Sequence, residues 1–109
     1  MATAYKQLGS SITPGTTWTT LYNVPGATSA VVSSIVAANS SASAKTFRIG
    51  IVSSNTTPST ANCIAYDVAI PANDSVMLTL GLGLSTGYYV KAYASTTDVT
   101  FNAFGVEIT

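Results

Sequence analysis

Apolar and polar residues alternate with a period of two along much of this 109-residue chain, and this alternation limits what the chain can fold into. The side chains of a β-strand point to opposite faces in turn, so a period of two indicates a strand with one buried face. The longest example places these residues on one face: Val76, Leu78, Leu80, Leu82 and Leu84. Segments 46–51 and 99–103 repeat the pattern, and the sequence therefore predicts a fold built from strands.

Turn-forming residues interrupt the alternating segments and set the strand boundaries. Pro-Gly pairs stand at 14–15 and 25–26, and segments 71–74 and 85–87 also have turn composition. The predicted strands are 3–9, 16–22, 28–38, 45–53, 63–70, 75–83, 88–95 and 98–108. About eight short strands at this spacing predict one all-β domain, residues 1–109, folded as a two-sheet antiparallel sandwich. The sequence leaves jelly-roll and immunoglobulin-like connectivity open.

The same alternation identifies the expected interior. The predicted core residues are Phe47, Ile49, Ile51, Leu78, Leu80, Leu82, Val99 and Phe101. Arg48 is a charged residue inside a strongly apolar strand; we expect it to lie along the sheet with its head in water, in preference to forming an intersubunit pair. Segment 53–62, SSNTTPSTAN, offers nothing to bury and is predicted to be a long surface loop. It is the first candidate for a loop that recognises a partner, although a solvated connector is favoured.

The charge content restricts the partners of this chain. Charged residues make up 7% of the sequence and the formal net charge is +0, so no electrostatic attraction to nucleic acid or to an anionic membrane is expected. Residues 1–11 lack the basic and apolar segments of a secretory signal. A net charge near zero removes the repulsion that keeps molecules apart, which favours a protein that works inside an assembly.

Residues that carry catalysis are scarce. The chain has no His, which is both the commonest general base and the commonest metal ligand, and the motifs of a serine nucleophile are absent. Turn capping accounts for Asp74 and Asp98, and Asp67 and Glu107 are expected to face solvent or to pair with a base across strands. Cys63 is the only cysteine, so it has no partner for an internal disulfide. We therefore predict a protein that is not an enzyme, with no catalytic, cofactor-binding or metal-binding residues.

Aromatic residues and one arginine are the remaining candidates for a binding surface. They are Trp18, Tyr22, Arg48, Tyr66, Tyr88, Tyr89 and Tyr93. Aromatic rings with a polar end suit contacts with protein and with carbohydrate alike. Tyrosine is common on strands and at protein interfaces, so interface or half-buried packing is favoured over sugar binding.

Four segments carry a resemblance to a known group of proteins. They are LYNVPGATSAVVSSIVAAN at 21–39, KTFRIGIV at 45–52, IPANDSVMLTLGLGLSTG at 70–87 and VKAYASTTDVTFNAFGVEI at 90–108. The chain resembles small virion structural proteins of tailed bacteriophages, notably those that infect cyanobacteria and other marine bacteria. The most specific pieces are Tyr22–Pro25, Phe47–Arg48, Tyr93–Ser95 and Phe101–Gly105, and none of them is a catalytic motif.

The resemblance implies a structural protein of the virion that assembles in the host cytoplasm. We expect a capsid decoration or cement protein that stabilises the assembled shell. A tail, collar or fibre-associated protein and a carbohydrate-binding adhesion module are the alternatives. The expected partners are further copies of the chain, with a trimer favoured, and virion proteins such as the major capsid protein. A host surface glycan is the partner in the adhesion alternative.

Overall fold

The computed structural model describes residues 2–109, apart from the side chains of Ser10 and Ser11. Met1, the first residue of the predicted domain, lies outside the described residues. The strands are β1 (Thr3–Ile12), β2 (Thr19–Asn23), β3 (Ser29–Asn39), β4 (Lys45–Val52), β5 (Cys63–Ile70), β6 (Ser75–Leu84), β7 (Tyr89–Ala94) and β8 (Val99–Ile108). A short 3-10 turn at Thr60–Asn62 precedes β5. Every predicted strand is therefore confirmed. The largest boundary changes are of three residues: β1 ends at Ile12 instead of residue 9, and β2 begins at Thr19 instead of residue 16, after a turn that contains Gly15 (φ 63°).

The strands form two antiparallel sheets of four strands each. The first sheet has the order β1-β8-β3-β6 and the second has the order β2-β7-β4-β5. Nearly every neighbouring pair joins strands that are distant in sequence, and β4 with β5 is the one sequential pair. This order corresponds to two interlocked Greek keys, which is the jelly-roll arrangement. The predicted all-β sandwich is confirmed, and the connectivity that the sequence left open is that of a jelly roll.

The core lies between the inner faces of the two sheets. Phe47 from β4 meets Phe101 from β8 at its centre, with ring centroids 5.9 Å apart and ring planes inclined by 65°. Edge-to-face pairs of this kind add to the stabilisation that burial of the rings provides. Ile49 and Val99 are also fully buried, so these four core predictions are confirmed.

The other predicted core residues are only half-buried. They are Ile51, Leu78, Leu80 and Leu82, which pack against the margin of the core. The three leucines project inward from β6, an outermost strand of its sheet, so neighbours cover them on one side only. A period of two correctly identifies the inward face of a strand, but the degree of burial depends on the position of the strand in the sheet.

Asn39 is a buried polar residue at the end of β3. Its side-chain amide donates to the carbonyl oxygens of Ser43 (2.9 Å), Ile70 (3.2 Å) and Pro71 (3.2 Å). Its Oδ1 atom accepts the backbone N–H of Ser41 at 2.9 Å. One side chain thus joins the 40–44 connection to the end of β5, which lies in the opposite sheet.

Candidate functional site

Four side chains on or beside the outer face of the second sheet form a continuous group, which we call the aromatic–arginine cluster: Trp18, Arg48, Tyr66 and Tyr93. Arg48 and Tyr93 lie directly opposite each other on β4 and β7. Their sequence neighbours Phe47, Ile49, Ala92 and Ala94 are buried in the core. Since side chains alternate along a strand, Arg48 and Tyr93 face away from the core.

An irregularity in β5 brings Tyr66 and its neighbour Asp67 to this surface. Phe47 pairs with Val68 and Ile49 pairs with Ala65, so two residues of β5 oppose one residue of β4. Asp67 has φ 52°, a left-handed conformation that is uncommon outside glycine, asparagine and aspartate. A β-bulge of this kind changes the direction of side chains. Tyr66 and Asp67 are both exposed as a result, although they are consecutive residues of one strand.

The Arg48 guanidinium is the centre of the cluster. Its central carbon lies 4.2 Å from the Tyr66 ring centroid and 4.5 Å from that of Tyr93, so it lies over both rings. Nε donates to Asp67 Oδ1 at 2.7 Å and Nη2 donates to Oδ2 at 3.3 Å. The Trp18 ring lies 5.5 Å from Tyr93 at an angle of 41°. The resulting order is Trp18, Tyr93, Arg48, Tyr66, across the sheet.

Arg48 lies at the surface with its guanidinium along the sheet, as expected. The ion pair that it forms is with Asp67 of the same chain, through two hydrogen bonds. The hydrogen bond to Asp67 is the main cause of a raised Arg48 pKa, against an opposing effect of burial. Asp67 takes one of the two arrangements expected for it, a pair with a base on the neighbouring strand, and its side chain also remains exposed.

The 53–62 loop lies against the same outer face. Pro58 is buried, and a methyl group added at Gly50 would lie 2.5 Å from the Pro58 Cβ atom and 3.4 Å from the Trp18 ring. Asn55 Oδ1 accepts a hydrogen bond of 2.7 Å from Lys91 Nζ. The prediction of a surface loop is correct, but the expectation that it contains nothing to bury is wrong at Pro58. The loop is held beside the aromatic–arginine cluster.

Tyr22 is a correction to the predicted contact residues. Its exposed fraction is 6%, and its hydroxyl donates to Glu107 Oε2. Burial is the main cause of the raised Tyr22 pKa, and the hydrogen bond and the negative charge of Glu107 raise it further. Glu107 also pairs with Lys6, with Nζ 2.6 Å from Oε1. Tyr22 is thus a structural link between β2 and β8, which belong to different sheets.

The two remaining candidates lie apart from the cluster. Tyr88 is half-buried and packs against the core. Tyr89 lies on β7 with its ring centroid 5.5 Å from Lys91 Nζ. Lys91 itself lies on the outer face, where the 53–62 loop covers it, and no sequence pattern predicted this burial. Lys91 alternates with Tyr89 and Tyr93 along β7, and this spacing is the only local signal that the three side chains share the outer face.

The structure also contains two shallow surface clefts. The cleft of 430 Å³ is lined by residues 38–40 and 73–75, and the cleft of 620 Å³ by residues 27–29, 85–86 and 108–109. Asp74 is the only ionisable side chain among these residues. Within residues 2–109 there is no group of three potential metal ligands among His, Cys, Asp and Glu. The same residues include no helix with the length and apolar character needed to span a membrane.

The fold and the cluster define a jelly-roll sandwich that carries an exposed aromatic and arginine surface. Comparison with known proteins found no matching family model, no matching curated protein and no matching solved structure.

Proposed function

We propose that this chain is a non-enzymatic structural protein of a bacteriophage virion, with the role of a decoration or cement protein that binds and stabilises the assembled shell. The observation that carries the proposal is the aromatic–arginine cluster. Tryptophan, tyrosine and arginine are the residues that most often dominate the binding energy of protein interfaces. Here they lie side by side on or beside the outer face of the second sheet.

Contacts within the chain hold the cluster in place. The Arg48–Asp67 pair has two-point geometry, and aromatic rings lie against the guanidinium. Binding costs less conformational entropy when the side chains of the interface already occupy fixed positions. Tyr66 nonetheless keeps 48% of its surface exposed, so it is accessible to a neighbouring protein.

The rest of the surface suits a protein surrounded by neighbours. Met77 and Phe104 expose 64% and 39% of their surfaces on strands of the first sheet. Exposed apolar groups on a chain with no net charge favour association. Such a surface is tolerated when subunits of a shell cover it. The resemblance of segments 21–39 and 90–108 to phage structural proteins supplies the virion setting.

A shell-rebinding assay tests this function. Shells purified from a phage that lacks the chain would be mixed with purified chain, and bound protein measured by co-sedimentation. We expect Tyr66→Ala to weaken binding on the order of tenfold or more. Arg48→Lys should also weaken it, because an ammonium group cannot reproduce the two-point pair and the planar stacking of the guanidinium.

Tyr5→Ala is the matched control, since Tyr5 is more exposed than Tyr66 but belongs to the other sheet. Its affinity should stay within about twofold of wild type, as expected for a residue outside an interface hot spot. Failure of the wild-type chain to bind shells, or equal effects of Tyr66→Ala and Tyr5→Ala, would contradict the proposed role of the cluster.

Carbohydrate binding is the second candidate function, and the exposed ring of Tyr66 beside the Asp67 carboxylate favours it. A sugar can stack on the ring while its hydroxyl groups donate to the carboxylate. A glycan array probed with the same Tyr66→Ala and Tyr5→Ala pair separates the two functions. Binding that is lost only with Tyr66→Ala would support an adhesion module, and an array without signal would argue against it.

A further inference from the structure

Lys91 is the one charged residue within residues 2–109 that is buried, with 8% of its surface exposed. Lysine is almost never buried unless an opposite charge accompanies it, because an ammonium group loses favourable hydration when it leaves water. The two ion pairs of the described residues join Lys6 to Glu107 and Arg48 to Asp67. Lys91 belongs to neither, so its positive charge has no counter-ion in the part of the chain that the structure describes.

The ammonium group of Lys91 lies at the rim of the 53–62 loop. Its Nζ atom donates to Asn55 Oδ1 at 2.7 Å and lies 5.5 Å from the Tyr89 ring centroid. An ammonium group has three N–H donors, and this is the one hydrogen bond that Nζ makes to the described residues. Asn55 is exposed, and the bond between the two side chains is only partly buried. The stem of Lys91 is therefore covered, while its charged end is within reach of a group from outside the chain.

The groups around this ammonium suit a carboxylate. Since Asn55 Oδ1 accepts from Nζ, the amide nitrogen of the same side chain is a further donor beside the lysine. Thr20 lies directly opposite Lys91 in the register of β2 and β7, so its hydroxyl-bearing side chain shares the outer face. The charges of the neighbouring Arg48–Asp67 pair cancel, so Lys91 leaves this face with an uncompensated positive charge. A carboxylate is acceptor-only and negative, and it complements both the donors and the charge.

We propose that Lys91 is a recognition point for an acidic side chain of the partner protein, which supplies the carboxylate that the buried ammonium lacks within this chain. The inference rests on the proposed function, since it takes the partner to be a protein of the shell. An ammonium that is already largely desolvated in the free chain loses little further hydration when a carboxylate binds it, and charge-assisted hydrogen bonds are stronger than neutral ones. Lys91 and Tyr93 share the outer face of β7, so this point is continuous with the aromatic–arginine cluster.

Acetate, the simplest carboxylate probe, tests the site in the isolated chain. Sodium acetate would replace sodium chloride at constant ionic strength, and NMR of the isotope-labelled chain would follow the Asn55 side-chain amide and the backbone amides around Lys91. We expect saturable shifts of these signals that are lost in Lys91→Met, a variant that keeps the apolar stem and removes a buried charge, and that should therefore fold. Lys45→Met is the matched control and should keep the shifts, since Lys45 is a half-buried lysine of the same sheet and also lacks an ion pair. Wild type without saturable shifts, or equal shifts in Lys91→Met, would overturn the proposal.

The shell-rebinding assay then identifies the source of the carboxylate. Lys91→Met should weaken shell binding on the order of tenfold or more, because it leaves the acidic group of the partner without its cation, while Lys45→Met should stay within about twofold of wild type. Shell binding that Lys91→Met leaves unchanged would overturn the assignment to a partner side chain and leave a site for small anions only. Failure of wild type to bind shells would contradict the proposed function, whereas the acetate titration decides on Lys91 without shells, so the two proposals fail separately.

Discussion

At the scale of the single residue, a few polar side chains hold together elements that are far apart in the sequence. Asn39 bonds to the backbone on two sides of the sandwich, and Glu107 accepts from both Lys6 and Tyr22. A buried polar group is costly when its partner is removed, because water does not replace the lost bond. Removing one of these buried polar partners should therefore destabilise the fold, although charged residues make up only 7% of the chain.

Asn39→Ala should lower the free energy of unfolding by about 2–4 kcal/mol, since it leaves three buried or half-buried carbonyl groups without their donor. Asn39→Asp should be worse, because it places a carboxylate against the same carbonyls. Urea unfolding followed by Trp18 fluorescence measures both. Asn23→Ala, an exposed asparagine at the end of β2, is the control and should stay within about 0.5 kcal/mol of wild type. An equal loss for Asn23→Ala and Asn39→Ala would contradict this account.

Glu107 predicts an acid dependence of stability. The hydrogen bond from Lys6 is the main cause of its lowered pKa, the hydrogen bond from Tyr22 adds to it, and burial opposes it. The unfolded chain therefore takes up a proton near the ordinary pKa of 4.5, at a higher pH than the folded chain. The stabilisation that Glu107 provides is therefore fully present above about pH 6, and it is lost as the pH falls through 4.5 toward the pKa of Glu107 in the folded chain.

Thermal unfolding from pH 7 down to pH 3 measures this effect. Glu107→Gln and Lys6→Met should both flatten the dependence on pH, because the first removes the titrating carboxyl and the second removes the main cause of its shift. A wild-type slope that either variant leaves unchanged would show that Glu107 does not link folding to pH.

At the scale of the element, the positions of the strands along the chain can be predicted from local sequence patterns, but the way the strands pair cannot. Period-two alternation and turn residues predict all eight strands because both depend on neighbouring residues. The pairing of β1 with β8 depends on contacts between opposite ends of the chain, which one sequence does not encode in any local pattern. The β-bulge at Tyr66 could not be predicted from local sequence either, because Asp67 adopts a left-handed conformation that its residue type permits but does not require. The aromatic members of the cluster could be predicted, but their grouping could not.

The 53–62 loop provides a prediction at this scale. Gly50→Ala would place a methyl group 2.5 Å from the Pro58 Cβ atom, so the loop must move away from the sheet. We expect a loss of about 1–3 kcal/mol of stability, as for other overpacked positions, and faster proteolysis within 53–57. Limited proteolysis followed by mass spectrometry locates the cleavage. Gly26→Ala has open space at the added methyl group and should leave the cleavage rate as in wild type. Unchanged cleavage in Gly50→Ala would show that Pro58 does not hold the loop in place.

At the scale of the whole molecule, the jelly roll separates three surfaces by direction. The outer face of the second sheet carries the aromatic–arginine cluster, strands of the first sheet expose Tyr5 and Met77, and the edge of β6 lies between the two faces. The chain measures 46 × 26 × 18 Å, so both broad faces are available to neighbours at the same time. A small protein of this shape can contact a shell through one face while another neighbour contacts the opposite face.

The copy number of this chain in purified virions tests the proposed function most directly. Quantitative mass spectrometry against the major capsid protein would give the ratio. A decoration or cement protein occupies repeated sites over the whole shell, so we predict copies on the order of hundreds per virion, in a fixed ratio to the capsid protein. A few copies up to a few dozen would place the chain in the tail, collar or fibre apparatus instead. Absence of the chain from the virion would contradict the proposal of a virion protein.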